Sequence, residues 1–368
     1  MKKIPFNHFN DFYLNHKSGV DSVSGNVFAS GKYIRDAHTA LLEVNLAKLC
    51  GREYAVVTGS CTDALFFAMK AAGVRAGDEV IVPAFSYIAS LSPVLMCNAV
   101  PVFADICPDN LMIDPDQIEK LISPKTRAIL VVQLFGSMLN AAPIREIADK
   151  HNLVIIEDAA QALGAQRCGL PGGKSGDVSC ISFDPTKIVS AFATGGVVLT
   201  DNSEIFREVK QLIHHGRNSS DEYISLGYNS KMSEISAALI NLQLDVLDET
   251  LAAYRRVASA YFERLKDNSL ILAITPGTEV NPTFHKFVIA CEHRDSLRKH
   301  LADHGIETRV HYNTLLNEHK LLCGFNHRTG KLPVSDVMKN KVLSLPIYPG
   351  LGSDELDYIC DCIAKWQF

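Results

Sequence analysis

Apolar and polar positions alternate along this chain in two regimes. Up to about residue 200, short continuous apolar runs stand between turn signals and helix-like segments. Ala128–Phe135, Leu153–Ile156 and the shorter Val80–Val82 are such runs. A run without polar alternation is what a parallel strand covered on both faces requires. Thr62–Ala72 reads as a helix: it is rich in alanine, sets Leu65, Phe66 and Met69 on one face, and is closed by Gly73 and Gly77. Strand–helix repetition of this kind predicts an α/β fold, a mostly parallel central sheet flanked by helices, with ligands gathering at the C-terminal ends of its strands. From about residue 234 the period changes to that of long amphipathic helix, with Ile235, Leu239, Leu242, Leu244 and Leu247, then Tyr254 to Leu265. Shorter strands and helices follow. The expected division is a large domain over residues 1–244 and a smaller C-terminal α+β domain over 245–368.

Composition narrows the function classes. The chain has 368 residues, 47% hydrophobic and 21% charged, in the range of globular enzymes. A net charge of −5 argues against a nucleic-acid binder, yet leaves room for a local basic pocket that takes a phosphorylated ligand. Ten cysteines are scattered through mostly apolar runs; Cys360 and Cys362 are separated by one residue, and no C-x-x-C occurs. Reduced, buried thiols in a cytoplasmic protein are therefore expected, rather than disulfides or a zinc site. Met1 to Asn10 lacks the apolar core of a signal peptide, and no run reaches the length of a membrane-spanning helix.

Four segments carry candidate chemistry. Glu157-Asp158-Ala-Ala-Gln161 stands at the end of the Leu153–Ile156 strand. An acidic pair there can be solvated or cap a helix; the alternative is a carboxylate that holds a proton on a ring nitrogen. Ser182-Phe-Asp-Pro-Thr-Lys187 lies between two strand-like runs and ahead of Gly195-Gly196, so Lys187 is expected to point into a cleft, where desolvation makes an amine nucleophilic. Gly59-Ser-Cys-Thr62 joins the Tyr54–Val57 strand to a helix, whose free N–H groups suit a phosphate or merely form a capped turn. Tyr87, after Val80–Val82, sits near the same sheet edge and either packs in the core or stacks on a planar ring. Gly169–Ser175 resembles a phosphate-binding P-loop but has one residue too few between its glycines, and the adjacent His214 and His215 cannot point the same way to share a metal.

In this order, these pieces resemble the sugar-nucleotide aminotransferases of the DegT/DnrJ/StrS type, from about Gly31 to Ile363. The likeness includes Gly77-Asp-Glu-Val-Ile-Val-Pro83, Glu157 to Gln161, Ser182-Phe followed by Lys187, Gly195-Gly196, Leu226-Gly-Tyr-Asn229, Val310-His-Tyr312 and Leu343-Ser-Leu-Pro346. It implies the fold type I of pyridoxal-phosphate-dependent transferases. It also implies that Lys187 is the Schiff-base lysine, that Asp158 pairs with the pyridine nitrogen and that Gln161 lies near the ring hydroxyl. By the same resemblance Thr62, the backbone of Asp63 and Ser182 hold the phosphate, Tyr87 stacks on the ring, and Asn229 reaches the phosphate from the partner of a homodimer. The position of Lys231 is in some relatives an arginine that clamps the glutamate carboxylate, and that of His311 lies in the substrate pocket. Three positions depart from the family's wording: Cys61 replaces a glycine, Lys231 replaces the arginine, and Gly136-Ser-Met-Leu-Asn replaces Gly-x-x-x-Asp-Met.

The implied reaction moves an amino group from glutamate to a nucleotide-linked keto sugar in deoxyamino-sugar biosynthesis. Asn229-Ser230-Lys231 is closer to the wording common among enzymes acting at C3 of the sugar, so a 3-keto sugar is expected, with a 4-keto sugar as the alternative. Lys187 argues against the family's dehydratase branch, which has histidine there. A regulatory protein of the same fold that binds the cofactor without catalysis, and an α/β scaffold for a phosphorylated ligand, are the competing classes.

Overall fold

The computed structural model describes residues 3–367. Its central sheet has eight strands in the order Tyr54–Thr58, Gly196–Thr200, Val178–Ser182, Val154–Asp158, Thr126–Val132, Glu79–Pro83, Val100–Ala104 and Arg328–Thr329. From Val178–Ser182 to Arg328–Thr329 every neighbouring pair is parallel, while Gly196–Thr200 runs antiparallel to both of its neighbours. The expected mostly parallel sheet is thus formed. Its inner strands are buried on both faces: Val80, Ile81 and Val82, like Ile129, Leu130 and Val131, are wholly inaccessible to solvent. Helix Cys61–Ala71 packs on one face and contributes Leu65, Phe67 and Met69 to the main core. Helices Ala37–Leu49 and Glu234–Leu244 join a second core with Leu42, Leu46, Ala237 and Ile240. The Glu234 carboxylate accepts the N–H groups of Asp36, His38 and Thr39, and so satisfies the open end of helix Ala37–Leu49.

Toward the C-terminus, Ile271–Ala273, Phe287–Cys291 and Val342–Leu345 form an antiparallel sheet. Helices Leu247–Leu265, Arg294–Asp303 and Ser353–Lys365 pack with it around Val257, Tyr261, Leu297, Leu301 and Ile359. Ile4 joins this core: its N–H donates to the Gly305 carbonyl (2.9 Å) and its carbonyl accepts from Glu307 N–H (3.0 Å). No helix among the described residues is long and apolar enough to cross a membrane.

Two expected elements end differently. The apolar run Ala128–Phe135 is not one strand: the strand stops at Val132, and Leu134–Gly136 is a 3-10 turn with Phe135 at φ 59° and Gly136 at φ 88°. The turn lets Phe135 N–H donate to Gln161 Oε1 (2.7 Å) and its carbonyl accept from Lys286 N–H (3.3 Å). Leu134 and Phe135 stay buried through the turn, so hydropathy does not register it. The long helical stretch from residue 234 is two helices, Glu234–Leu244 and Leu247–Leu265, broken at Asp245 and Val246.

Candidate active site

The strands deliver their side chains to one edge. Thr58, Pro83, Val132, Asp158 and Ser182 are strand ends at the C-terminal edge of the parallel sheet. A cavity of about 610 Å³ opens there, lined by Thr62, Tyr87, Asp158, Gln161, Ser182 and Lys187 among others. His311 and Lys286 close it from the C-terminal part of the chain, and Phe6 from the N-terminal segment. Its size lies within the range of small-molecule sites, about 300–1,000 Å³.

Asp158 is the last residue of its strand and only 4% exposed. Ser90 Oγ donates to its Oδ2 (2.8 Å), Ser86 Oγ lies 2.9 Å from Ser90 Oγ, and Ala160 N–H donates to Oδ1 (3.1 Å). Burial pushes the Asp158 carboxyl above the ordinary carboxylate range, and the two hydrogen bonds and the nearby Lys187 charge pull against it. Such a carboxylate gains from meeting a protonated ring nitrogen. Glu157, its neighbour, faces the other way: its carboxylate accepts from Gly173 N–H, Ser175 N–H, Ser179 Oγ and Gln133 Nε2. The Gly169–Ser175 segment therefore turns amide donors onto Glu157.

Lys187 follows the Asp184–Thr186 turn, in which Thr186 N–H and Oγ1 both bond Asp184 Oδ1. Desolvation lowers its amine below the ordinary lysine value, while Cys61, Asp158 and Asp184 oppose that shift. A neutral amine is the form that can attack a carbonyl or accept a proton.

The Ser60–Thr62 turn opens helix Cys61–Ala71. Ser60 caps it by accepting Asp63 N–H (3.1 Å), and Thr62 lines the cavity. Cys61 is buried and its thiol is pushed well up by burial, so it stays uncharged beside Lys187. Gly196 makes the turn fit: a Cβ there would stand 2.6 Å from Cys61 N and from the Ser60 carbonyl. Gln161 Oε1 is taken by Phe135 N–H, and its Nε2 lies 3.4 Å from the Tyr312 hydroxyl. The Tyr87 and Tyr312 rings face each other at 5.9 Å.

Three expected residues lie outside this lining: Asp63, Asn229 and Lys231. Ser230 Oγ accepts Gly59 N–H (3.0 Å) and donates to Asp63 Oδ2 (2.7 Å), which fastens the Asn229–Lys231 segment behind the turn. Lys231 has its amine lowered by burial and by Arg35. Arg35 Nη1 is 3.1 Å from His214 Nε2, and His214 bridges Asn229 along the backbone. Around them Tyr33, Ile34, Tyr223, Ile224 and Leu226 are exposed.

Sequence reading missed Ser90, His285, Lys286, Arg309 and Phe6. None stands in a strong motif. Lys286 is 8% exposed, yet no hydrogen bond or ion pair of its amine occurs among the described residues; its Nζ lies 5.1 Å from the Phe6 ring centre. Burial, with Lys187 nearby, lowers it to about 7. Burial pulls His311 down to about 3 and His285 well below its ordinary value, so both rings are neutral at pH 7.

The cavity fits pyridoxal phosphate on its donor set: a buried carboxylate for the ring nitrogen, a desolvated amine, two hydroxyls at a helix start and an aromatic wall. The comparisons agree. The chain matches the DegT/DnrJ/EryC1/StrS aminotransferase family over residues 20–364. It is 33% identical to the pleiotropic regulatory protein of Geobacillus stearothermophilus, over 99% of this chain and 98% of that one. It is equally 33% identical to the UDP-2-acetamido-2-deoxy-3-oxo-D-glucuronate aminotransferase of Pseudomonas aeruginosa, over 95% of this chain and 96% of that one. The crystal structure of S. venezuelae DesV superposes with a TM-score of 0.96 at 33% identity, covering 100% of this chain and 99% of that one.

Proposed function

This chain belongs to the DegT/DnrJ/EryC1/StrS aminotransferase family and is a pyridoxal-phosphate-dependent sugar-nucleotide aminotransferase, and on that premise we propose that it moves the amino group of glutamate onto a nucleotide-linked 3-keto sugar. The observation that carries the reading is the convergence of Lys187 and Asp158 on one cavity at the sheet edge. When bound, pyridoxal phosphate supplies an electron sink for the carbon that loses its proton. Asp158 would keep that sink effective by accepting a hydrogen bond from a protonated ring nitrogen. Lys187, whose amine desolvation holds below the ordinary lysine range, would take the proton from the donor's carbon and return it on the other side of the exchange. Thr62 and Ser182 would offer hydroxyls to the phosphate, and Tyr87 would stand against the ring. His311, neutral and bonded through Nδ1 to Ser344 Oγ (2.8 Å), faces the substrate side.

The 3-keto choice is supported by the Asn229-Ser230-Lys231 wording and by the relative from P. aeruginosa, whose name specifies a 3-oxo sugar. The homodimer is supported by the apolar surface around Tyr33, Ile34, Tyr223, Ile224 and Leu226, which brackets Asn229 and Lys231 outside their own chain's cavity. In a dimer they would complete the partner's site. The place of action follows as the cytoplasm, where nucleotide sugars are made.

Lys187→Ala tests the assignment. The variant is expected to lose turnover and still bind pyridoxal phosphate, seen as cofactor retained through gel filtration. Normal turnover by the variant contradicts the role of Lys187. Amination of a 4-keto and not a 3-keto sugar nucleotide by the wild type overturns the regiochemistry alone.

A further inference from the structure

Lys286 has no task in the reaction just described. The residue is only 8% exposed and lines the cavity, so its unpaired amine is left to the solvent of the cavity. Its Nζ rests over the Phe6 ring at 5.1 Å; the same ring receives the Arg309 guanidinium at 5.8 Å and the His311 ring at 5.8 Å. Each other charge nearby is engaged. Arg309 has Glu307 at 3.8 Å, and the Asp184 carboxylate is held by Thr186. His285 and His311 are neutral at pH 7. Lys187 is reserved for the chemistry. What remains is one amine that lines the cavity, on a backbone tied to Phe135 just before strand Phe287–Cys291.

We propose that the Lys286 amine is a specificity-determining receptor for a substrate carboxylate, supplied either by the amino donor or by a sugar that itself bears an acid group. The proposal rests on the aminotransferase reading, because it takes the Lys187 cavity as the place where both substrates enter. Its position fits a carboxylate better than the phosphate of the cofactor. The amine belongs to the wall made by the C-terminal strands and the N-terminal segment, whereas the helix start that suits a phosphate is at Ser60–Thr62. An arriving carboxylate restores the proton that burial has loosened from Lys286, and the Phe6 ring holds the ammonium's other side. A leucine or methionine at this position would fill the same space and bind no acid, so Lys286 sets selectivity for substrates that carry one.

The test uses wild-type holoenzyme, Lys286→Met and, for rescue, Lys286→Arg, with glutarate, UDP-glucuronate and UDP-glucose as probes in titration calorimetry. A charge-assisted hydrogen bond lost on truncation weakens binding by about tenfold or more. The expected result is that loss in Lys286→Met for at least one of the two acids, with UDP-glucose unaffected and most of the affinity kept in Lys286→Arg. Loss confined to glutarate makes the donor the source of the carboxylate; loss confined to UDP-glucuronate makes it the sugar. The proposal is overturned when neither acid loses more affinity than UDP-glucose does, including the case in which neither acid binds the wild type. The absorbance of the cofactor in the same samples separates the two readings. A wild type that takes up no pyridoxal phosphate removes the aminotransferase reading itself, whereas normal uptake with no acid-specific loss removes only the role of Lys286.

Discussion

Ser90 shows how one residue of the cavity lining can set the conditions for another. Its hydroxyl donates to Asp158, whose carboxyl burial has already raised. In the proposed assignment Asp158 acts as the carboxylate, so anything that favours its protonated form is expected to remove activity from the acid side. Ser90→Ala deletes a bond that lowers the Asp158 pKa, so the acid limb of the kcat–pH profile is expected to move upward by about one pH unit, the equivalent of one net hydrogen bond. Rates near the alkaline plateau should return toward wild type. An unshifted acid limb would show that the bond does not act through Asp158. Asp158 and Lys187 were legible in the sequence because each follows an apolar strand in a short, ordered motif. Ser90 and Lys286 were not, because a lone serine between Ala89 and Leu91 forms no motif and a lysine before a strand looks like surface until the fold closes over it. Asp63, by contrast, was legible and lies outside the lining, its carboxylate turned to Ser230.

Elements bring these residues together through a contact that depends on glycine. Gly196 lets the strand Gly196–Thr200 pass against the Ser60–Cys61 backbone, which cannot retreat from an added methyl. At Gly195 the same methyl would meet the terminal Cε of Met232 at 2.8 Å and the Cβ atoms of Ala191 and Phe183 at 3.3 Å, so side chains and not backbone would have to give. Gly196→Ala is therefore expected to cost about 1–3 kcal/mol of stability and to weaken cofactor binding, while Gly195→Ala costs clearly less. Urea unfolding and cofactor titration of the two variants check this, and equal losses would refute the argument. Periodicity located these strands and the helix Cys61–Ala71 to within a residue or two. It failed at Leu134–Gly136, since three buried residues read as strand whether or not the backbone turns. The turn is fixed by partners far away in sequence, Gln161 and Lys286, together with Thr283 and His285, which crowd Gly136.

At the scale of the whole molecule, the sheet edge gathers strand ends, a helix start and the C-terminal strands around one cavity, and leaves Asn229 and Lys231 outside its lining. If each site borrows Asn229 from the partner, two inactive variants can repair one another. A mixed dimer of Lys187→Ala and Asn229→Ala holds one doubly damaged site and one intact site. Co-expression is expected to restore about a quarter of wild-type activity, since about half the dimers are mixed and each has one working site of two. No recovery would place Asn229 in its own chain's business. The alternation of strands and helices announced the fold, but a single chain's hydropathy does not reveal which surface meets a second copy. The most direct measurement is the absorbance spectrum of the purified protein with added pyridoxal phosphate, before and after L-glutamate. The expected result is the yellow band of lysine-bound cofactor, which glutamate bleaches to the amine form. A protein that develops no yellow band contradicts the account at its centre, and a band that glutamate leaves unchanged contradicts glutamate as the donor.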